Sequence, residues 1–220
     1  MLWFNGKSDK KMSKLIFDIG CNVGLWTNTN YNTTDFFVCV DANPVICKQA
    51  MSLHEGKKNV VVLNLLMSSI GGLEEDFYVA NNHWASTSSM EFLSHGRFSK
   101  VFSWDDPIKI KTSTLDLLIQ EYGVPNHIKI DVEGYELMVL NGLTNMAQMI
   151  SFEWNEEEKL NTLRCINHLH ALGYNKFSIH EEDSYTYIPD QWVDVDTILN
   201  QTDALLVADR FAKWGMIYAI

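Results

Sequence analysis

Leu15-Ile16-Phe17-Asp18-Ile19-Gly20-Cys21-Asn22-Val23-Gly24 is the stretch on which the fold class turns. Leu15–Ile19 is a short apolar run of the kind found in buried parallel strands. It breaks at Gly20, and Gly24 closes what reads as a tight turn. The same grammar returns downstream. Phe36-Phe37-Val38-Cys39-Val40 stops at Asp41, and Pro44 is a good first-turn residue for a helix running to about Leu53. Val60–Leu65 predicts a third strand.

Residues 71 to 112 read differently. Phe77-Tyr78-Val79 and Ile108-Lys109-Ile110 look like strand pieces, but Asn81 to Trp104 between them is rich in Asn, Ser, His and Trp and weakly periodic. A long stretch of that kind in a compact domain is often a functional loop or lid. Beyond it, helices are expected from Ser113-Thr114-Leu115-Asp116 to about Tyr122, from Tyr135 to Asn141 and from Glu156 to Leu172, with Gly173 placed as a C-terminal cap. Strands are expected at His127–Ile130, Met149–Glu153, Lys176–His180 and Ala204–Asp209. Such alternation implies a mostly parallel sheet with helices on both faces, its ligand at the C-terminal strand ends. Asp18, Asp41, Asp131 and Glu153 all fall at or near those ends.

The bulk properties narrow the partners. A chain of 220 residues with 46% hydrophobic and 20% charged residues can bury a full core. The expected layout is a basic tail over residues 1–14 and one domain over 15–220, with the 81–104 insertion. A net charge of −11 makes nucleic acid a poor partner, since the short basic stretches (Lys7 to Lys14, and Lys57-Lys58) form no stripe. Cys21, Cys39, Cys47 and Cys165 show neither C-x-x-C nor zinc spacing and read as buried thiols in a reducing compartment. Met1–Phe4 is too short for a signal peptide and no stretch is long enough for a membrane span, so a cytoplasmic location is expected.

Two segments carry the chemistry. The Gly20–Gly24 turn is neither G-x-G-x-x-G nor a P-loop, so it suits a nucleoside-type ligand without phosphates. Asp41 could then accept both ribose hydroxyls, the alternative being a glycine turn beside a capping Asp. In Ile128-Lys129-Ile130-Asp131-Val132-Glu133-Gly134-Tyr135-Glu136, strand alternation puts Lys129 and Asp131 on one face and Ile128 and Ile130 on the other. Glu133 and Glu136 share a helix face if the helix starts early enough to hold both. Three carboxylates within six residues need cations or a task, unless they merely favour a helix N-terminus.

Together with Ser113-Thr114-Leu115-Asp116, the run Ile128-Lys129-Ile130-Asp131-Val132-Glu133-Gly134-Tyr135-Glu136-Leu137-Met138-Val139-Leu140-Asn141-Gly142 resembles the hallmark of the FkbM family of methyltransferases. Asp18–Gly24 resembles that family's first motif and Val40-Asp41-Ala42-Asn43-Pro44 its second. Phe152-Glu153 and Leu172-Gly173-Tyr174 fall in family order, so the likeness covers roughly residues 15 to 210. Cys21 stands where a small Ala is more usual, and Asp41 replaces a more usual Glu, shortening the reach of the carboxylate.

The resemblance implies a Rossmann-like class I methyltransferase fold on a seven-stranded sheet, S-adenosylmethionine as donor, and O-methylation of a sugar, glycolipid or other small natural product. It implies that Asp18, Gly20, Asn22 and Gly24 bracket the methionine part of the cofactor. Asp41, with Ala42 beside it, would take the ribose, while Asp131 and Glu133 would face the transfer site. A hydroxyl is a weak nucleophile, so a base is expected: Asp131 or Glu133 first, His83 second. Asp131, Glu153 and Asn155 could instead hold a hard divalent ion, and Trp84 and Trp104 could stack on a sugar ring. Two rivals stand beside this reading. One is a binding module that kept the cofactor pocket without catalysis. The other is an NAD-dependent oxidoreductase, which would need the missing glycine fingerprint.

Overall fold

In the computed structural model the described residues are 12–205 and 213–220, apart from 97, 183 and 187, and apart from the side chain of 157. Most of the basic tail lies outside them. The chain runs β1 (Leu15–Ile19), α1 (Leu25–Asn30), β2 (Phe36–Asp41), α2 (Pro44–Leu53), β3 (Val60–Asn64), β4 (Leu66–Met67), β5 (Glu74–Phe77), α3 (Met90–His95), β6 (Ile108–Ser113), α4 (Leu115–Tyr122), β7 (His127–Ile130), α5 (Glu136–Leu140), β8 (Met149–Asn155), α6 (Lys159–Leu172), β9 (Phe177–Glu181), α7 (Val195–Leu205) and β10 (Trp214–Ala219).

Seven strands form one sheet in the order β3-β2-β1-β7-β8-β10-β9, in which β10 alone runs against its neighbours. This is the mostly parallel sheet that the strand–helix alternation implied. The order reverses between β1 and β7, where a doubly wound sheet opens its ligand crevice.

The period of two along each strand divides the core into two layers. Phe17, Ile19, Val38, Val40, Ile128, Ile130, Ile150 and Phe152 face one way and meet Leu115 and Leu118 of α4, Val139 of α5, Cys165, Ile166 and Leu169 of α6, and Ile198 of α7. Ile16, Phe37 and Cys39 face the other way, against Ala50 of α2 and Trp26 of α1. Burying each of these large side chains is worth about 2 kcal/mol. The four cysteines are buried free thiols.

Three expectations need correction. Ala204 and Leu205 close α7 rather than open a strand, and 206–209 lie outside the described residues; the last strand is Trp214–Ala219. The piece predicted at Phe77–Val79 lies earlier, as Glu74–Phe77, paired antiparallel to β6 in a small sheet of order β4-β6-β5. The 81–104 stretch is more built than its composition suggests. It carries a 3-10 turn at His83–Ala85 and α3, closed over a core of Ala80, Ala85 and Phe92 with Phe98, Phe102 and Trp104 packed against it.

Candidate active site

β1 delivers the chain into the turn at Gly20–Gly24 because three of its residues take positive φ: Gly20 at 75°, Asn22 at 50° and Gly24 at 84°. Gly20 is required sterically as well, since a Cβ there would collide with the carbonyl of Asp131. Asn22 tolerates its conformation because its short polar side chain bonds locally, Oδ1 accepting the N–H of Val23 at 2.7 Å.

At the next strand end, Asp41 is fixed by two backbone donors. The N–H of Asn22 reaches Oδ2 at 2.9 Å and that of Asn43 reaches Oδ1 at 2.8 Å. Each oxygen keeps lone-pair capacity for a further donor. Burial raises the Asp41 carboxyl to about 6, against the lowering effect of those two amides. Both turns border one cleft of about 470 Å³, walled also by Ala42, Leu65, Leu66, Met67 and Phe77. The last four pass unmarked in a sequence reading, because a leucine after a strand looks like any core leucine.

β7 and the turn after it add to the lining. Lys129 is 3% exposed, lines the cleft with Asp131, and places Nζ 2.8 Å from Asp131 Oδ2. Its ammonium also lies 6.0 Å from the centre of the Trp26 ring. The face predicted by alternation is therefore the face observed, with Ile128 and Ile130 in the core. Glu133 lines the cleft at φ 52°. Glu136 does not share its face, because α5 begins only at Glu136. That carboxylate turns inward, is 2% exposed, and burial raises it to about 7.

Asp131, Glu133 and Glu153 bring oxygens within 4.8 Å of one another, a set able to take a hard cation. Asn155, also expected as a ligand, already uses its side-chain oxygen. Its Oδ1 accepts the N–H of Glu158 at 3.1 Å and caps the turn before α6.

Other expected residues divide by position. Gly20, Asn22, Asp41, Ala42, Asp131, Glu133 and His83 all border the cleft, whereas Asp18 and Gly24 stand behind it. Asp18 is fully buried and its Oδ2 accepts the Thr27 hydroxyl at 2.7 Å, which ties β1 to α1. Burial raises its carboxyl, with Lys129 and the Thr27 bond acting the other way. Trp84 is 46% exposed at the cleft, set edge-on to Phe98 and Phe102. Trp104 is not presented to a ligand. Its Nε1 donates to the Ala85 carbonyl at 2.9 Å, and its ring belongs to the small core of the insertion.

The arrangement offers a carboxylate for a diol, an apolar strip for a flat ring, and a facing group of acids. Among the described residues no helix is long and apolar enough to cross a membrane.

Comparison with known proteins gives a methyltransferase FkbM domain match over residues 18–176. The hexuronic acid methyltransferase AglP of Haloferax volcanii is 44% identical over 52 residues, 23% of this chain and 22% of the relative. The matched part thus spans about a fifth of that relative's length. Among solved structures, the chain is similar to a precorrin-6y C5,15-methyltransferase of Geobacter metallireducens at 9% identity, with a TM-score of 0.47 over 96% of this chain and 81% of the other. It is similar at 13% identity to an S-adenosylmethionine-dependent O-methyltransferase of Thermotoga maritima, with a TM-score of 0.44 over 96% of this chain and 60% of the other.

Proposed function

The chain belongs to the FkbM methyltransferase family, and from that premise we propose that it methylates a hydroxyl of a sugar, glycolipid or other small natural product from S-adenosylmethionine. Residues 15–220 act as one domain in this reading, with the 81–104 insertion over the acceptor side. The observation that carries it is Asp41, held by the amides of Asn22 and Asn43 on the wall of the cleft that also contains Asp131 and Glu133.

The lining fits the cofactor. Ala42, Leu65, Leu66, Met67 and Phe77 make an apolar strip beside Asp41 that suits a purine, and Asp41 suits a ribose diol. Gly20, Cys21 and Asn22 bring backbone up to the cleft for the amino-acid end, while Asp18 and Gly24 support that turn from behind. Bound S-adenosylmethionine supplies an electrophilic methyl group on a sulfonium.

The protein's own work is orientation and proton handling. Lys129 fixes Asp131 through the 2.8 Å ion pair, so Asp131 presents its carboxylate at one angle. Asp131 or Glu133 takes the proton of the acceptor hydroxyl on a carboxylate oxygen, a contribution of about 10²–10⁴-fold in such reactions. His83, which also borders the cleft, is the second candidate. Holding the acceptor oxygen in line supplies more, and exposed Trp84 offers a ring for the apolar face of a sugar. The hexuronic acid in the Haloferax relative's name makes sugars the first acceptors to try.

The test is methyl transfer from label-bearing S-adenosylmethionine to a panel of neutral glycosides, uronic acids and glycolipids. Transfer that disappears in Asp131→Asn or in Glu133→Gln while cofactor still binds supports the reading. Cofactor binding without transfer to any acceptor is the behaviour of a binding module, and unchanged turnover in both variants removes the assigned site.

A further inference from the structure

The turn that carries Asp131 and Glu133 into the cleft takes two consecutive left-handed residues, Glu133 at φ 52° and Gly134 at φ 85°. A non-glycine residue holds that conformation only where its surroundings fix it. Here side chains from three separate elements fix it. Glu136 Oε1 accepts the N–H groups of Val132 and Gly134, both at 3.2 Å. Thr87, from the insertion, donates its hydroxyl to the Glu133 carbonyl at 2.7 Å. Asn161 of α6 places Nδ2 3.4 Å from the Gly134 carbonyl and 3.1 Å from Glu158 Oε2, with Glu136 Oε2 at 3.5 Å.

Glu136 is 2% exposed and does not border the cleft, so it cannot touch a substrate there. A buried carboxylate is costly as a means of stability alone. What it secures is direction: with both amides anchored, the Glu133 side chain leaves the turn toward the acids on the neighbouring strand ends.

We infer that Glu136 is a positioning residue, whose inward carboxylate holds the Val132–Gly134 turn so that Asp131 and Glu133 face the acceptor. This rests on the proposed transfer site.

The test compares Glu136→Ala, Glu136→Asp and Glu136→Gln, each below its own melting temperature, by kcat, by S-adenosylhomocysteine affinity, and by amide hydrogen exchange at Val132 and Gly134. Ala lacks the acceptor and Asp keeps the charge without the reach. Gln keeps an Oε1 able to accept both amides. Glu136→Ala and Glu136→Asp are expected to lose about tenfold or more in kcat, with cofactor affinity within about threefold and faster exchange at both amides. Glu136→Gln is expected to stay within about threefold of the parent. If Ala does not fold, Asp carries the same test. A folded Asp variant with parental kcat and exchange overturns the inference, and so does a Gln variant as impaired as Asp. Failure of the site reading itself shows differently: Asp131→Asn and Glu133→Gln would then both keep parental kcat.

Discussion

The carbonyl oxygen of Asp131 fills the space where a side chain on Gly20 would begin. The turn after β1 and the turn after β7 therefore touch across the point where the strand order reverses. The N–H of Asp131 also reaches back to the Ile19 carbonyl at 2.9 Å. The proposed cofactor loop and the start of the proposed transfer-site turn are thus in direct backbone contact at Gly20 and Asp131.

Gly20→Ala is expected to displace both turns at once. The added methyl meets backbone rather than a flexible side-chain end, at a φ of 75°. A loss of about 3 kcal/mol or more in stability should appear as a melting temperature lowered by roughly 6–12 °C. S-adenosylhomocysteine should no longer bind the folded fraction. A variant that melts and binds like the parent would mean the two turns are not in contact.

Thr27→Val tests the support behind the first turn. The hydroxyl is the bond donor to Asp18 Oδ2, and Asp18 Oδ1 has no partner among the described residues. Removing Thr27's bond leaves a buried carboxylate poorly satisfied, at a cost of about 1–3 kcal/mol. Thermal unfolding should register it, and an unchanged melting temperature would show that water already serves Asp18.

The two tryptophans of the insertion should separate cleanly. Trp84→Ala is expected to raise the acceptor KM by about tenfold while moving the melting temperature little, because the ring is already 46% exposed. Trp104→Ala should instead lower stability by about 3 kcal/mol through lost packing and the lost bond to Ala85. The reverse pattern would exchange their roles.

Much of this was legible in the residues because it depends on local periodicity. The four acids at strand ends, the Lys129–Asp131 face and the Gly20 turn follow from a period of two and from glycine's tolerance of positive φ. Whether Glu136 shares a face with Glu133 was left open by the sequence, because the start of α5 depends on how the preceding turn is clamped. The partners in that clamp, Thr87 and Glu133, are 46 residues apart, and no local pattern links them. The cap made by Asn155 was not legible either, since it depends on the turn that follows. The insertion hid its own core because its aromatic residues lack the regular spacing of a helix or strand.

Asp41 gives the most direct test of the central claim. Its carboxyl, raised by burial to about 6, accepts a ligand diol best when ionised. Affinity should be full well above that value and fall as pH drops through it, to about tenfold weaker near pH 5. Calorimetric titration with S-adenosylmethionine and S-adenosylhomocysteine at pH 7.5 and pH 5, roughly one unit or more on either side of that value, and NAD as control, measures this on the parent and on Asp41→Ala. The account predicts micromolar binding of the two cofactor forms at the higher pH, weakening at the lower, with neither seen in Asp41→Ala and no NAD binding. A folded parent protein that binds neither, or an Asp41→Ala variant that binds as tightly as the parent, would contradict it.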